Sequence, residues 1–285
     1  VTPVTDIRVH RKDLVLSTQG RAFWALDDIT PLHQITDEVQ NADLWLFTPR
    51  VAYRGSNPGL ARIHYFVGSM PEADVTLEFL DSSGEVLRSF TGKPGDAPET
   101  LRAGRRGRPE PTRIPVQEGL NTFEWSLRRE AIELPQGVVH WAGNTPGRLV
   151  LPGTYRVRLS SGDWTQTRDL TVELIPNSSS TIADLRKQDE LLVQLAAEID
   201  SFFGGLTALR DVKAQAESIV ARIEKAGKSS SELEDAQKDL VAKLSAVEET
   251  MTQVKSKSRQ DPINFPPMVD NQLTNLYGFV ADGDF

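Results

Sequence analysis

The 285-residue chain contains no cysteine, which excludes disulfides, thiolate metal ligands and cysteine nucleophiles and leaves the compartment open. No uninterrupted apolar run approaches the roughly 20 residues of a bilayer-spanning helix, and the N-terminus lacks a basic-then-apolar signal pattern. Histidine is scarce: His10, His33, His64 and His140 are the whole complement, and none has the i, i+4 spacing of a zinc helix or a close carboxylate pair beside it. A nucleophile elbow is missing, because Gly55-Ser56-Asn57-Pro58-Gly59 has the wrong spacing for G-x-S-x-G and reads as a turn. No cofactor and no metal are expected. Excess positive charge is absent too, since a net charge of −8 and a pI near 5.2 disfavour nucleic acid or anionic membrane as general partners.

What is present is two kinds of periodicity. From Arg62 to Leu174 apolar and polar residues alternate: Val75, Leu77 and Phe79 against Thr76 and Glu78, Phe123, Trp125 and Leu127 against Glu124 and Ser126, and Tyr155, Val157 and Leu159 against Arg156 and Arg158. Leu170, Val172 and Leu174 repeat the pattern after the Gly162-Asp163 turn. Several one-sided strands at short spacing, separated by turn residues, predict an antiparallel sandwich. Lys93 to Val116 and Ala131 to Leu149 are read as long insertions in it, and loops of that length are functional or mobile.

After the linker Pro176-Asn177-Ser178-Ser179-Ser180 the period becomes helical. Leu192, Leu195, Ile199, Phe202, Leu206 and Leu209 predict one face of a long helix that continues through Val212, Ala216, Ile219 and Ile223. Thr181-x-x-Asp184 caps its start and Ser231-x-x-Glu234 reads as a capping box opening a second helix, with Leu233, Leu240, Leu244, Val247, Met251 and Val254 inward. The two make an antiparallel hairpin. The unmatched half of the first helix is expected to be covered by Met268 to Val280. Gly204-Gly205 inside it predicts a kink or a close helix approach.

The stretch Leu14 to Leu32 organises the rest. Asp6–His10, Leu14–Ser17 and Ala22–Asp27 read as three short strands, where a propeller blade needs four. Asp13-Leu14, Thr18, Gly20-Arg21, Phe23-Trp24, Leu26-Asp27-Asp28-Ile29 and Pro31-Leu32 resemble the closing blade of bacterial sortilin-like β-propeller proteins, also labelled BNR-repeat or glycosyl-hydrolase-like. Leu46-Phe47, Pro49-Arg50 and Ala52-Tyr53-Arg54 continue the resemblance, as do Asn264, Pro266-Pro267, Gln272-Leu273 and Leu276-Tyr277-Gly278. The strands from Val75 to Leu159 also resemble Ig-like or fibronectin III-like modules appended to secreted bacterial proteins.

The expected architecture is therefore multidomain: the end of a last propeller blade over residues 1–34, an Ig/fibronectin III-like β-sandwich over 35–176, and a helical hairpin with a short C-terminal helix over 177–285. The resemblance implies a C-terminal fragment of a secreted, periplasmic or cell-surface bacterial protein, whose partners are the remainder of the propeller chain and a protein or glycan, with self-association as a further expectation. It implies a non-catalytic accessory role. The alternative is an accessory part of a glycoside hydrolase whose carboxylates lie in other blades.

Candidate contact residues are few. Trp141 and Trp164, near loops, either close the end of the sandwich or stack on sugar rings. Arg106-Gly107-Arg108-Pro109 equals the core of a minor-groove hook, and Arg105 adds charge beside it; in an acidic chain it reads as a solvated loop or a contact for an anionic glycan or partner. Asp27-Asp28 is the tempting carboxylate pair for glycoside chemistry, but adjacent strand residues point to opposite faces and should not converge.

Overall fold

The computed structural model describes residues 2–55, 60–99, 111–135, 138–140, 143–228, 230–258 and 260–282. The fold is mixed α and β, with mostly antiparallel sheets and one long helix. Two compact units form, Val1–Arg129 with Leu149–Ser179 and Glu130–Arg148 with Ser180–Phe285.

In the first unit, β1 (Val4–His10), β2 (Asp13–Thr18) and β3 (Phe23–Leu26) make a three-stranded antiparallel meander. Arg11 and Lys12, at φ 49 and 67, supply the two left-handed positions that a tight hairpin turn needs. Short apolar runs between Gly and Pro suit buried strands, yet every residue of β1 and β3 is exposed and β2 is only half-buried. The meander is anchored at its exit, where Asp28, Ile29 and Pro31 are buried.

The other strands are β4 (Leu44–Leu46), β5 (Ala52–Arg54), β6 (Ala61–Val67), β7 (Val75–Leu80), β8 (Val86–Gly92), β9 (Gly119–Trp125), β10 (Gly153–Ser161) and β11 (Trp164–Leu174), with the short helix α1 (Asp37–Gln40) before β4. One sheet has the order β5-β11-β10-β7-β8 and the other β4-β6-β9. The β5–β11 pairing is parallel, a departure from the all-antiparallel expectation. Alternation sends Ile63, Tyr65, Phe123 and Trp125 of one sheet and Leu77, Phe79, Val157 and Leu170 of the other into a single core. Each such side chain contributes about 1.5–3 kcal/mol by leaving water.

The second unit is built on α2 (Ile182–Lys225), α3 (Ser231–Met251) and α4 (Val269–Ala281). At 1.5 Å per residue α2 runs roughly 66 Å. Its capping box forms: Thr181 Oγ1 accepts from the Asp184 amide at 3.2 Å, and Asp184 accepts from the Thr181 amide at 3.1 Å. Leu192, Leu195, Ile199, Phe203 and Leu206 of α2 pack with Tyr277 and Ala281 of α4, so α4 covers the first half of α2 as the sequence predicts. Phe203, not Phe202, takes the inner position; Phe202 stands edge-on to it at 5.4 Å. By length and composition only, α2 also contains one stretch long and apolar enough to cross a membrane, which qualifies the reading from runs alone; its buried residues lie on the stripe shared with α4.

Helix α3 departs more. It is capped by Ser230 without a side-chain bond, so the Ser231 box does not form. Leu233, Leu240, Val247 and Val254, read as inner, are exposed, as are Val212 and Ile219 of α2. Ala216 and Ile223 of α2 and Leu244 and Met251 of α3 are half-buried as read, and the other half-buried seam positions, Lys213 and Val220 on α2 and Val241 on α3, lie one residue beyond those expected. Glu248 explains the rotation: buried, it pairs with Arg210 at 2.8 Å and Lys213 at 2.7 Å, and a buried carboxylate must keep its cations.

Residues 130–148, read as an insertion in the strand-rich region, belong to the helical unit. Ile132, Leu134 and Val138 pack on the α2–α4 core, and the Tyr277 hydroxyl donates to the Pro146 carbonyl at 3.0 Å. Close backbone approach occurs here and not at Gly204-Gly205. A Cβ on Gly278 would lie 2.7 Å from Asn144 Oδ1 and one on Gly143, at φ +95, 2.7 Å from the Asn275 amide, whereas Gly204 and Gly205 have nothing within 4 Å.

Candidate functional site

Two places in the strand-rich unit gather polar chemistry. The first is the wet face of β6 and β9, onto which the chain leaving β3 folds. Arg62 and His64 are two residues apart on that face; their cross-strand partners are Glu124 and Thr122. Arg62 Nη2 meets Glu124 at 3.0 Å and Asp27 at 3.9 Å, and His64 Nε2 meets Asp28 at 3.4 Å. Asp28 adopts φ +62, which ends the extended alternation, so Asp27 and Asp28 both reach cationic or imidazole partners on one face instead of diverging. This corrects the alternation argument. A cleft of about 360 Å³ opens beside them.

The Asp28 carboxyl lies well below the usual carboxylate range: burial works to raise it, and the adjacent His64 imidazole together with the Thr30 hydroxyl and amide outweigh burial. The Thr30 amide donates to Oδ1 at 3.0 Å. Thr122 Oγ1 sits 2.9 Å from His64 Nδ1, giving the order hydroxyl, imidazole, carboxylate. With the His64 and Asp28 side chains 8% and 2% exposed, the line acts as a clasp. It is reinforced by Arg50 to Asp13 at 2.9 Å and by Asp13 accepting from the Asp28 amide at 3.0 Å. A similar pair occurs in the helical unit, where Asp270 is 3.3 Å from His140 Nε2 and accepts from Thr252 at 2.6 Å. Burial works to raise the Asp270 carboxyl too, and bonds from His140 and Thr252 again hold it below its ordinary value.

The second place is a larger open cleft of about 1080 Å³ at one end of the strands. Trp45 and Trp164 supply apolar surface, and Asp37, Glu38, Asp43 and Glu72 line it. Trp45 is carried by β4, which β11 grips through side chains: the Leu46 amide donates to Gln166 Oε1 at 2.6 Å and Arg168 Nε donates to the Leu46 carbonyl at 3.1 Å. The Arg168 guanidinium lies 5.3 Å from the Trp45 ring, a cation–π distance. Trp164 opens β11, half-buried, with part of its ring against the core.

Of the residues singled out from sequence, Trp164 lines this cleft; Trp141, Arg105, Arg106 and Arg108 lie outside the described residues. Neighbouring Arg113 is 3.7 Å from both Asp96 and Glu99. Trp45 escaped notice because it sits inside the apolar run Leu44 to Phe47, and His64 because its carboxylate is remote in the chain. Among the described residues no group of three or more His, Asp or Glu side chains is placed to hold a metal ion.

No family model and no curated protein matches the chain. Solved structures of b-glucuronidase from Ruminococcus gnavus, in complex with D-glucuronic acid and in the apo form, match 46% of this chain and 16% of theirs, at 14% identity and a TM-score of 0.19. The match thus spans less than a fifth of those chains. At that TM-score the likeness carries no argument about function.

Proposed function

We propose that the chain is a non-catalytic accessory module of a secreted bacterial β-propeller protein of the sortilin-like type. In this reading β1–β3 belong to the last blade, the strands β4–β11 form an Ig-like sandwich, and the helical unit presents loops or helix faces to a protein or glycan. The supporting observation is the uncovered apolar surface of the meander: Phe23 is 78% exposed, Val9 62%, Trp24 59% and Ile7 58%. Three strands with no buried face cannot stabilise themselves, and unpaired edges bearing large apolar side chains are pairing surfaces. The rest of a propeller would supply both the missing strand and the cover.

The test is solution mass together with hydrogen exchange across Leu14–Ile29 in the isolated chain. The expected outcome is concentration-dependent association that protects these amides and disappears in Phe23→Asp and Trp24→Asp. A strict monomer whose amides there exchange at unprotected rates would overturn the reading. Glycan turnover by the purified chain, abolished by a single Asp or Glu substitution, would overturn its non-catalytic part.

A further inference from the structure

We infer that the open cleft between Trp45 and Trp164 is a binding site for a cationic peptide segment, one presenting arginine or lysine side chains along an extended backbone. This goes beyond the accessory role and does not depend on it. Four carboxylate residues line the cleft, Asp37, Glu38, Asp43 and Glu72, and its lining contains no lysine, arginine or histidine. Asp43 is partly engaged, accepting from the Ser69 hydroxyl at 2.7 Å. No cation among the described residues forms an ion pair with Asp37, Glu38 or Glu72, so their charge is available to a ligand.

The indoles are an observation separate from the acids. Large, half-buried aromatic faces beside carboxylates are the pairing that holds guanidinium and ammonium groups, through the ring quadrupole together with charge. The molecule uses that chemistry next to the cleft, where Arg168, outside the lining, lies over the Trp45 ring. An anionic sugar would meet four like charges here, and a neutral glycan would leave them unused. The cleft, about 1080 Å³, is open to solvent instead of enclosed, which suits several residues of a chain better than a single small cation. Glu72, in the loop after β6, and Glu38, on α1, stand on separate segments of the lining, so a ligand can meet charge from more than one side.

The experiment is a titration of the full chain, followed by indole N–H shifts and tryptophan fluorescence. The probes are a short Gly-Arg repeat peptide, its Gly-Glu counterpart and a neutral cello-oligosaccharide. The proposal expects saturable binding of the Gly-Arg peptide alone, with shifts at Trp45 and Trp164, weakening steadily as salt rises. Glu38→Gln combined with Glu72→Gln, both exposed and remote from the core, should reduce affinity by about three- to tenfold. Trp164→Phe, which keeps an aromatic against the core, should bind more weakly while melting near the parent temperature. Gly-Arg binding equal in the double variant would mean nonspecific attraction to an acidic chain and would overturn the site. So would oligosaccharide binding without peptide binding, or no saturable binding of any probe.

Discussion

Phe79 and Trp125 stack with ring centroids 4.1 Å apart and planes 23° from parallel, and they belong to strands β7 and β9 of two different sheets. Trp125 is fully buried and donates its indole N–H to the Arg128 carbonyl at 2.9 Å, so its removal opens a cavity and orphans a carbonyl partner. Trp125→Ala should cost about 3–5 kcal/mol, read as a lower urea midpoint with an unchanged slope. An unshifted midpoint would contradict the shared core.

The clasp predicts an acid dependence. The Asp28 carboxyl is lowered from its ordinary value of 3.8 because the nearby His64 imidazole and Thr30 outweigh burial. A carboxyl depressed in the folded state stabilises fully above its unfolded pKa and loses that contribution as pH falls through the folded value. Melting temperature should therefore drop on acidification below about pH 4. Asp28→Asn should melt lower at neutral pH, by about 1–3 kcal/mol, and show a shallower acid limb. Parallel acid limbs in the two proteins would remove Asp28 as a cause.

Gly278 should respond with the opposite sign to Gly204 and Gly205. Gly204→Ala and Gly205→Ala, each with open space around the added carbon, should stabilise by about 1 kcal/mol apiece through helix propensity. Gly278→Ala forces a methyl against the Asn144 backbone and side chain and should destabilise by about 1–3 kcal/mol. Thermal melts of the three variants decide it.

Glu248→Gln removes the charge that holds Arg210 and Lys213. With burial opposing and the two cations favouring ionisation of Glu248, the substitution should destabilise by about 1–2 kcal/mol. The loss should appear as faster amide exchange in α3 and the second half of α2, and leave exchange at Ile199 and Tyr277 unchanged. Uniform acceleration across the helical unit would refute a local role.

Much of the strand-rich unit was legible because its strands have one dry and one wet face: Leu77, Phe79, Phe123 and Trp125 follow from period-two alternation alone. The long helix and its cover by α4 were legible for the same reason at period 3.6. The seam of α3 was legible only at Leu244 and Met251, because Glu248 takes the place that a purely apolar pattern assigns to Val247, and its partner Lys213 takes that of Val212 on α2. The clasp was illegible for a different reason. Alternation assumes an extended backbone, and Asp28 leaves it at φ +62. Of the candidate binding residues, Trp164 was visible as an aromatic at a turn, while the carboxylates that line the cleft with it are drawn from three separate segments and only the fold assembles them.

The excursion of residues 130–148 into the helical core bears on how this protein can be cut and recombined. Neither unit corresponds to one uninterrupted stretch of coding sequence. A truncation at residue 176 yields a strand-rich piece still carrying Ile132, Leu134 and Val138 with nothing to bury them, and a helical piece whose Tyr277 hydroxyl has lost its acceptor. Protease nicking at the 177–180 linker alone should leave the two products associated, because one of them retains part of the other's interior. Module swapping at that linker, natural or designed, would have to carry the excursion along with the helices.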